Sequence, residues 1–381
     1  MNRAEAIACF NAHFGPAKDC RVFRAPGRVN LIGEHTDYNL GFVLPTALEM
    51  ACYVAGAEAD GGRITVFSEE RNEERSWNVA DLDGLKPANH WSDYFAGVAQ
   101  GLVRTGVELA AGRYLVHSEV PEGSGLSSSA AFEVASAMAL LGGRPMDRLK
   151  LARLCQRAEI EFVGNPCGIM DQYISVFGKA HKAIKLDCRS LTHETVSIPD
   201  GVEIYAVNSM VKHELSGSAY RDRVAECRSA AEVLARVFPE VKTLRDATPA
   251  QLGHVQMPAV IARRARHVVS EDIRVELWMH AASRGDLERM GELFVESHRS
   301  LQHDYEVSAE ELDFLVDAAI GIEGVYGARM TGGGFGGCTV NLVRPDAAES
   351  FQREIRSAYQ ERFGIVPAIY RCVPSKGADA I

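Results

Sequence analysis

RYLVHSEVPEGSGLSSSAAFEVASAMALL, residues 113–141, changes character twice within a short stretch. Residues 113–120 are rich in branched and aromatic side chains, which predicts a β-strand. PEGSGLSSS then punctuates the chain, and the apolar, alanine-rich run 130–141 predicts a helix. In the order strand, glycine-serine loop, helix, backbone N–H groups and a helix N-terminus can hold phosphate oxygens. Gly123 and Gly125 let the backbone come close to such a ligand. A flexible turn with a serine N-cap fits the same residues; three adjacent serines before a long apolar helix favour the phosphate reading. The loop is not the common P-loop, because no Gly-Lys-Ser/Thr follows, and the dinucleotide pattern G-x-G-x-x-G is incomplete. Protein-kinase signatures are also missing from the sequence.

Outward from this stretch, residues 48–57 and 63–68 read as strands, and the extended run 21–24 leads into a turn at Ala25-Pro26-Gly27. Downstream, Leu151, Leu154, Cys155, Ala158 and Phe162 recur at helical spacing, so 148–163 forms an amphipathic helix ended by Gly164-Asn165-Pro166. Helical patterns also cover 220–237, 258–269, 272–283 and 309–320, before a glycine run and a strand at 338–343. This is a mixed α/β chain of 381 residues, long enough for two domains that share one cleft. The boundary falls near residue 190, giving units 1–190 and 191–381.

Hydrophobic residues make up 46% and charged residues 24%, the balance of an ordinary globular protein. The net charge is −10 with no run of five or more Lys and Arg, which argues against nucleic acid or an anionic membrane as partner and for a small ligand. The cysteines form no Cys-x-x-Cys pair and read as reduced thiols. MNRAEAIACFNAHFG is too polar for a signal peptide and no apolar stretch approaches a membrane span, so a cytoplasmic protein is expected.

Chemistry concentrates in four places. RAPGRVNLIGEHTDY, residues 24–38, gathers Arg28, Glu34, His35 and Asp37. Carboxylates and a histidine can pair with vicinal hydroxyls at fixed angles, and an arginine can meet developing negative charge; a solvated loop with a capping aspartate, or a metal site, fits the same composition. GNPCGIMDQYIS, residues 164–175, isolates Asp171 among neutral neighbours, where it can serve as a general base or as a helix N-cap. Glu159 and Glu161 flank the apolar stripe of the preceding helix, and periodicity does not choose between them. RMTGGGFGGCTVNLV, residues 329–343, has five glycines in six positions, which demands special backbone angles or close approach, in a helix-to-strand turn or beside the phosphate loop.

In order along the chain, these segments resemble the galactokinases of the GHMP kinase superfamily. GRVNLIGEHTDY is similar to the sugar signature of that family, EGSGLSSSAAF to its ATP loop, CGIMDQ to its catalytic-aspartate motif and TGGGFGGC to its C-terminal glycine motif. The resemblance implies an α+β fold of two lobes, the first like ribosomal S5 domain 2 and the second ferredoxin-like, with the active site between them. It implies ATP-dependent phosphorylation of galactose at its C1 hydroxyl, with ATP as co-substrate and Mg²⁺ as cofactor. Asp171 would be the base and Arg28 would stabilise charge on the transferring phosphoryl group. Glu34, His35, Thr36, Asp37, Gly168 and Tyr220 would bind galactose, Tyr220 being carried by HELSGSAYRDRVAEC, residues 213–227. Gly123, Ser124, Gly125, Leu126, Ser127, Ser128 and Ser129 would line ATP, with Ser129 and Glu159 reaching the metal. A monomer is expected. The rival readings are a kinase of N-acetylgalactosamine or arabinose, and a galactose sensor without catalysis.

Overall fold

The structure, a computed structural model, describes residues 1–212 and 216–381. His213, Glu214 and Leu215, which open the HELSGSAY segment, lie outside the described residues. The strands of the first half are β1 (Arg21–Asn30), β2 (Phe42–Val43), β3 (Pro45–Glu58), β4 (Arg63–Ser68), β5 (Glu73–Asn78), β6 (Gly112–Ser118), β7 (Lys182–Asp187) and β8 (Thr192–Ser197). Those of the second are β9 (Glu203–Lys212), β10 (Val325–Thr331), β11 (Gly336–Val343), β12 (Ala368–Arg371) and β13 (Asp379–Ala380).

Among the described residues the strands form three sheets, of six, four and three strands. The first sheet has the order β13-β1-β3-β6-β4-β5, and the helix Ser128–Leu141 packs on β1 and β3. The alanines of that helix suit this position: Ala131, Ala135 and Ala137 are fully buried, and small side chains let helix and sheet approach closely. The second sheet has the order β10-β11-β9-β12, all antiparallel. Chain order through β9, a helical segment, β10, β11, the helix Ala348–Phe363 and β12 is the split βαβ arrangement of ferredoxin-like domains. β13, at the far end of the chain, returns to the first sheet and pairs with β1. One apolar core runs continuously from Val54 and Val134 in the first half to Ala206 and Val340 in the second, which holds the cleft between them.

Three local expectations are corrected. Ala25-Pro26-Gly27 is not a turn: β1 runs through it with a register shift between Pro26 and Arg28, because proline lacks the ladder donor and a bulge absorbs the loss. The segments 258–269 and 272–283 are parts of one helix, Ala259–Arg284, since no glycine or proline interrupts it. The glycine run joins two strands, β10 and β11, rather than a helix and a strand. Among the described residues, no helix is long and apolar enough to cross a membrane.

Candidate active site

Gly27 explains how the phosphate-type loop reaches β1. A Cβ there would stand 2.7 Å from Leu126 O and 2.9 Å from Val120 Cγ1, so only glycine lets the two backbones touch. Next to it, Arg28 N donates to Leu126 O at 3.0 Å and ties loop to strand. Ser127 is the N-cap residue of the helix Ser128–Leu141 with φ +64°, yet its hydroxyl makes no capping bond; it donates instead to Asp171 Oδ2. The first N–H groups of the helix therefore face a cavity of about 380 Å³ lined by Gly123, Gly125, Ser127, Ser128 and Ser129. Ser124 and Leu126 point away from it: Ser124 Oγ donates to Pro121 O at 2.7 Å, and Leu126 is fully buried in the core. For these two residues the backbone is what remains available to a ligand.

Asp171 lies inside the first turn of the helix Met170–Phe177 and is not its N-cap, a position held by Ile169. Arg28, 5% exposed, grips it with a fork, Nε to Oδ1 and Nη2 to Oδ2, both at 2.8 Å. Arg28 Nη1 also donates to Gly125 O, so one guanidinium links the carboxylate to the loop.

Across the cavity, the sugar-signature residues are mostly buried. Glu34 Oε1 accepts from Gly332 N at 2.8 Å and faces Thr331 Oγ1 at 3.1 Å. His35 adopts φ +62°; its Nδ1 pairs with Tyr38 OH at 2.9 Å, while its buried Nε2 meets no partner among the described residues. Burial, with the neighbouring His267, lowers its pKa to about 3, so the ring is neutral. Asp37 is raised to about 7 by burial and by the nearby Asp171 and Glu34. A Cβ on Gly168 would fall 1.6 Å from Asp37 Oδ2, which makes glycine the only residue that fits beneath this carboxylate. Tyr220 closes the wall, its ring 5.7 Å from that of His35. Thr36 is not among the residues that line the cavity: its hydroxyl sits between Gly33 O (2.9 Å) and Phe42 O (2.6 Å), where it braces the loop.

Glu159 faces the cavity and Glu161 faces solvent. The segment Ala158–Val163 is a π-turn, whose extra residue per hydrogen-bonded ring shifts the phase that a regular helix would keep. Glu159 Oε1 accepts from Ser129 Oγ (3.2 Å) and Asn165 Nδ2 (2.7 Å), and Oε2 from Gln172 Nε2 (2.6 Å). Gln172 Nε2 also reaches the fully buried Glu133 at 3.0 Å. Burial first, and then like charge, raises the pKa of both: Asp171 acts on each, and Glu159 on Glu133. Sequence reasoning missed Glu133, Asn165 and Gln172. Glu133 carried a usable signal, as the one charge in the apolar run 130–141.

The site thus has a basic fork and open helix N–H groups at one end, and hydroxyl-pairing carboxylates with aromatic rings at the other. An anion such as a phosphate group fits the first end and a polyhydroxylated molecule the second.

Comparison with known proteins agrees. The galactokinase galactose-binding signature matches residues 8–58, the GHMP kinase N-terminal domain 93–179 and the GHMP kinase C-terminal domain 278–361. A galactokinase from Chloroflexus aggregans is 43% identical over 98% of this chain and 96% of its own, and one from Thermotoga maritima 40% identical over 94% and 99%. The crystal structure of Lactococcus lactis galactokinase complexed with galactose superposes with a TM-score of 0.94 at 32% identity, covering 99% of both chains. A Methanococcus jannaschii mevalonate kinase, 17% identical with a TM-score of 0.68 over 95% and 100%, shares the fold. With near-complete coverage by relatives of 40% identity or more, and a cavity assembled from the matching motifs, the chain belongs to the galactokinase family of GHMP kinases and is an ATP-dependent sugar kinase.

Proposed function

We propose that the cavity holds D-galactose and ATP side by side and that the C1 hydroxyl of the sugar attacks the γ-phosphorus. The new bond joins that oxygen to phosphorus, the bond to the β-phosphate oxygen breaks, and ADP and galactose 1-phosphate leave. Asp171 takes the hydroxyl proton, and Arg28 with the loop amides offsets charge on the transferring group. Glu34, His35, Asp37 and Tyr220 receive the sugar over Gly168. The observation that carries this reading is the Arg28–Asp171 fork with Ser127 on the same carboxylate, which sets a proton acceptor where the phosphate loop meets the carboxylate-rich wall. Residues 123–129 hold the phosphates, through the backbone at Ser124 and Leu126.

Ser129 Oγ and Glu159 Oε1, 3.2 Å apart on the cavity wall, would hold a magnesium ion, which takes one or two protein oxygens in phosphate sites. When bound, Mg²⁺ supplies charge neutralisation to the phosphates. The lobes are taken as 1–190 and 191–381, with β8, which pairs with β7, and β13, which pairs with β1, returned to the first. The same reading makes the chain a cytoplasmic monomer, which its nine free cysteines suit.

The test is coupled ADP release with galactose, glucose, N-acetylgalactosamine and arabinose. Galactose is expected to lead glucose by roughly 10⁴ in kcat/KM, because an inverted C4 hydroxyl leaves buried polar groups unpaired. Equal values for the two sugars overturn the reading.

A further inference from the structure

Among the described residues, Arg329 is the second-largest side chain with essentially no exposure, and the cavity does not include it. Burying a guanidinium is costly unless its donors are met. Here Nη1 meets the loop that carries the sugar signature: it donates to Leu31 O at 2.9 Å and Asn30 O at 3.2 Å and lies 3.5 Å from Glu34 Oε1, while the buried Nη2 has no partner among the described residues. Nε donates to Ser297 Oγ at 3.2 Å, and Ser297 donates in turn to the buried Glu271, whose Oε1 also accepts from Gly33 N at 3.0 Å. From the other side, His267 Nε2 meets Glu34 O at 3.1 Å.

The detail that matters is which oxygen of Glu34 is used. Arg329 Nη1, Gly332 N and Thr331 Oγ1, whose one proton also has Asn30 O within 3.0 Å, all converge on Oε1. No donor among the described residues reaches Oε2, although Glu34 lines the cavity. Three donors from one strand end fix the plane of the carboxylate, and the second oxygen has one direction left.

We infer that Arg329 is a positioning residue for sugar specificity: with Thr331 and Gly332 it pins one carboxylate oxygen of Glu34 and so aims the other at a single substrate hydroxyl. The inference rests on the reading of Glu34 as a sugar ligand. It assigns Arg329 and Thr331 to the sugar side of the glycine motif, while Gly332 and Gly337 approach the phosphate loop, where a Cβ would stand 3.4 Å from Gly125 O and 3.3 Å from Ser124 O.

The experiment compares wild type, Thr331→Val and Arg329→Lys with galactose and its 2-, 3-, 4- and 6-deoxy analogues. Thr331→Val keeps the shape and removes one donor; Arg329→Lys keeps the charge and loses the fork. Both are expected to raise KM for galactose about tenfold while kcat and KM for ATP stay within about twofold. With one deoxy sugar, the one that lacks the hydroxyl Oε2 receives, the penalty of the variants should vanish. A thermal melt accompanies each variant, and if Arg329→Lys fails to fold, Thr331→Val carries the test. Equal losses on every sugar, or none on galactose, overturn the inference alone. A wild-type protein that releases no ADP with galactose overturns the functional reading and this inference with it.

Discussion

The two ends of the cavity are built by different means. At the phosphate end the ligand-facing groups are largely backbone: the loop 123–127 with positive φ at Gly123, Gly125 and Ser127, and the open start of the helix Ser128–Leu141. At the sugar end they are side chains, and buried ones: Glu34 and His35 are 2% and 5% exposed, and Asp37 is raised to about 7. Backbone donors have fixed geometry once the loop closes, which suits an anion that needs charge and few angles. Buried carboxylates keep their geometry only if other groups hold them, which suits a ligand told apart by the direction of its hydroxyls. In the proposed reading, affinity for the co-substrate is local to a loop, whereas selectivity for the sugar is distributed through the fold.

The strongest test of this contrast strikes the group between the two ends. Asp171→Asn is expected to lower kcat by about 10² to 10⁴ while calorimetry still detects galactose and ATP, since the amide keeps shape but takes no proton. Near wild-type kcat would remove Asp171 from the proton transfer.

Next come two variants that should give opposite signatures. Gly168→Ala places a methyl group where Asp37 Oδ2 stands, so galactose should bind about 10- to 100-fold more weakly with ATP binding unchanged. Glu159→Ala should weaken use of Mg-ATP by a similar factor and spare galactose, with the solvent-facing Glu161→Ala as control. If both variants damage both ligands alike, the two ends are not separable.

The smallest effect is a pH dependence confined to the sugar end. Asp37, with a pKa of about 7, binds a proton as the pH falls, and His35, held neutral down to about 3, contributes no titration there. Galactose affinity measured without nucleotide should therefore fall about tenfold between pH 8 and pH 6, and Asp37→Asn should flatten the profile. The sign for stability is the reverse. A carboxyl raised in the folded state holds more protons than in the unfolded one, so its cost to stability grows from about pH 4 to about pH 7 and then levels off. A rise in galactose affinity on acidification would contradict the role given to Asp37.

Read alone, the sequence determined whatever depends on neighbours in the chain. The strand, glycine-serine loop and helix at 113–141 were legible because their signals are local, as were the crowding of Arg28, Glu34, His35 and Asp37 and the need for unusual backbone angles at 332–337. The order of four such motifs also pointed to the family, and with it to the two-lobed fold. What the sequence left open was direction. Helical periodicity does not separate Glu159 from Glu161, and only the family resemblance favours the first; the π-turn at Ala158–Val163, with Ser129, Asn165 and Gln172 as partners, turns Glu159 inward. Thr36 sits between two ligand-facing residues and yet braces its own loop against Gly33 and Phe42. Arg329 read as one more residue before a glycine run, and only the packing of β10 against the sugar-signature loop made it a partner of Glu34, 295 residues away. Thr36 is held by residues of its own loop, whereas the directions of Glu159 and Arg329 are set by partners brought in from other segments, because where a side chain points is decided by what is packed around it.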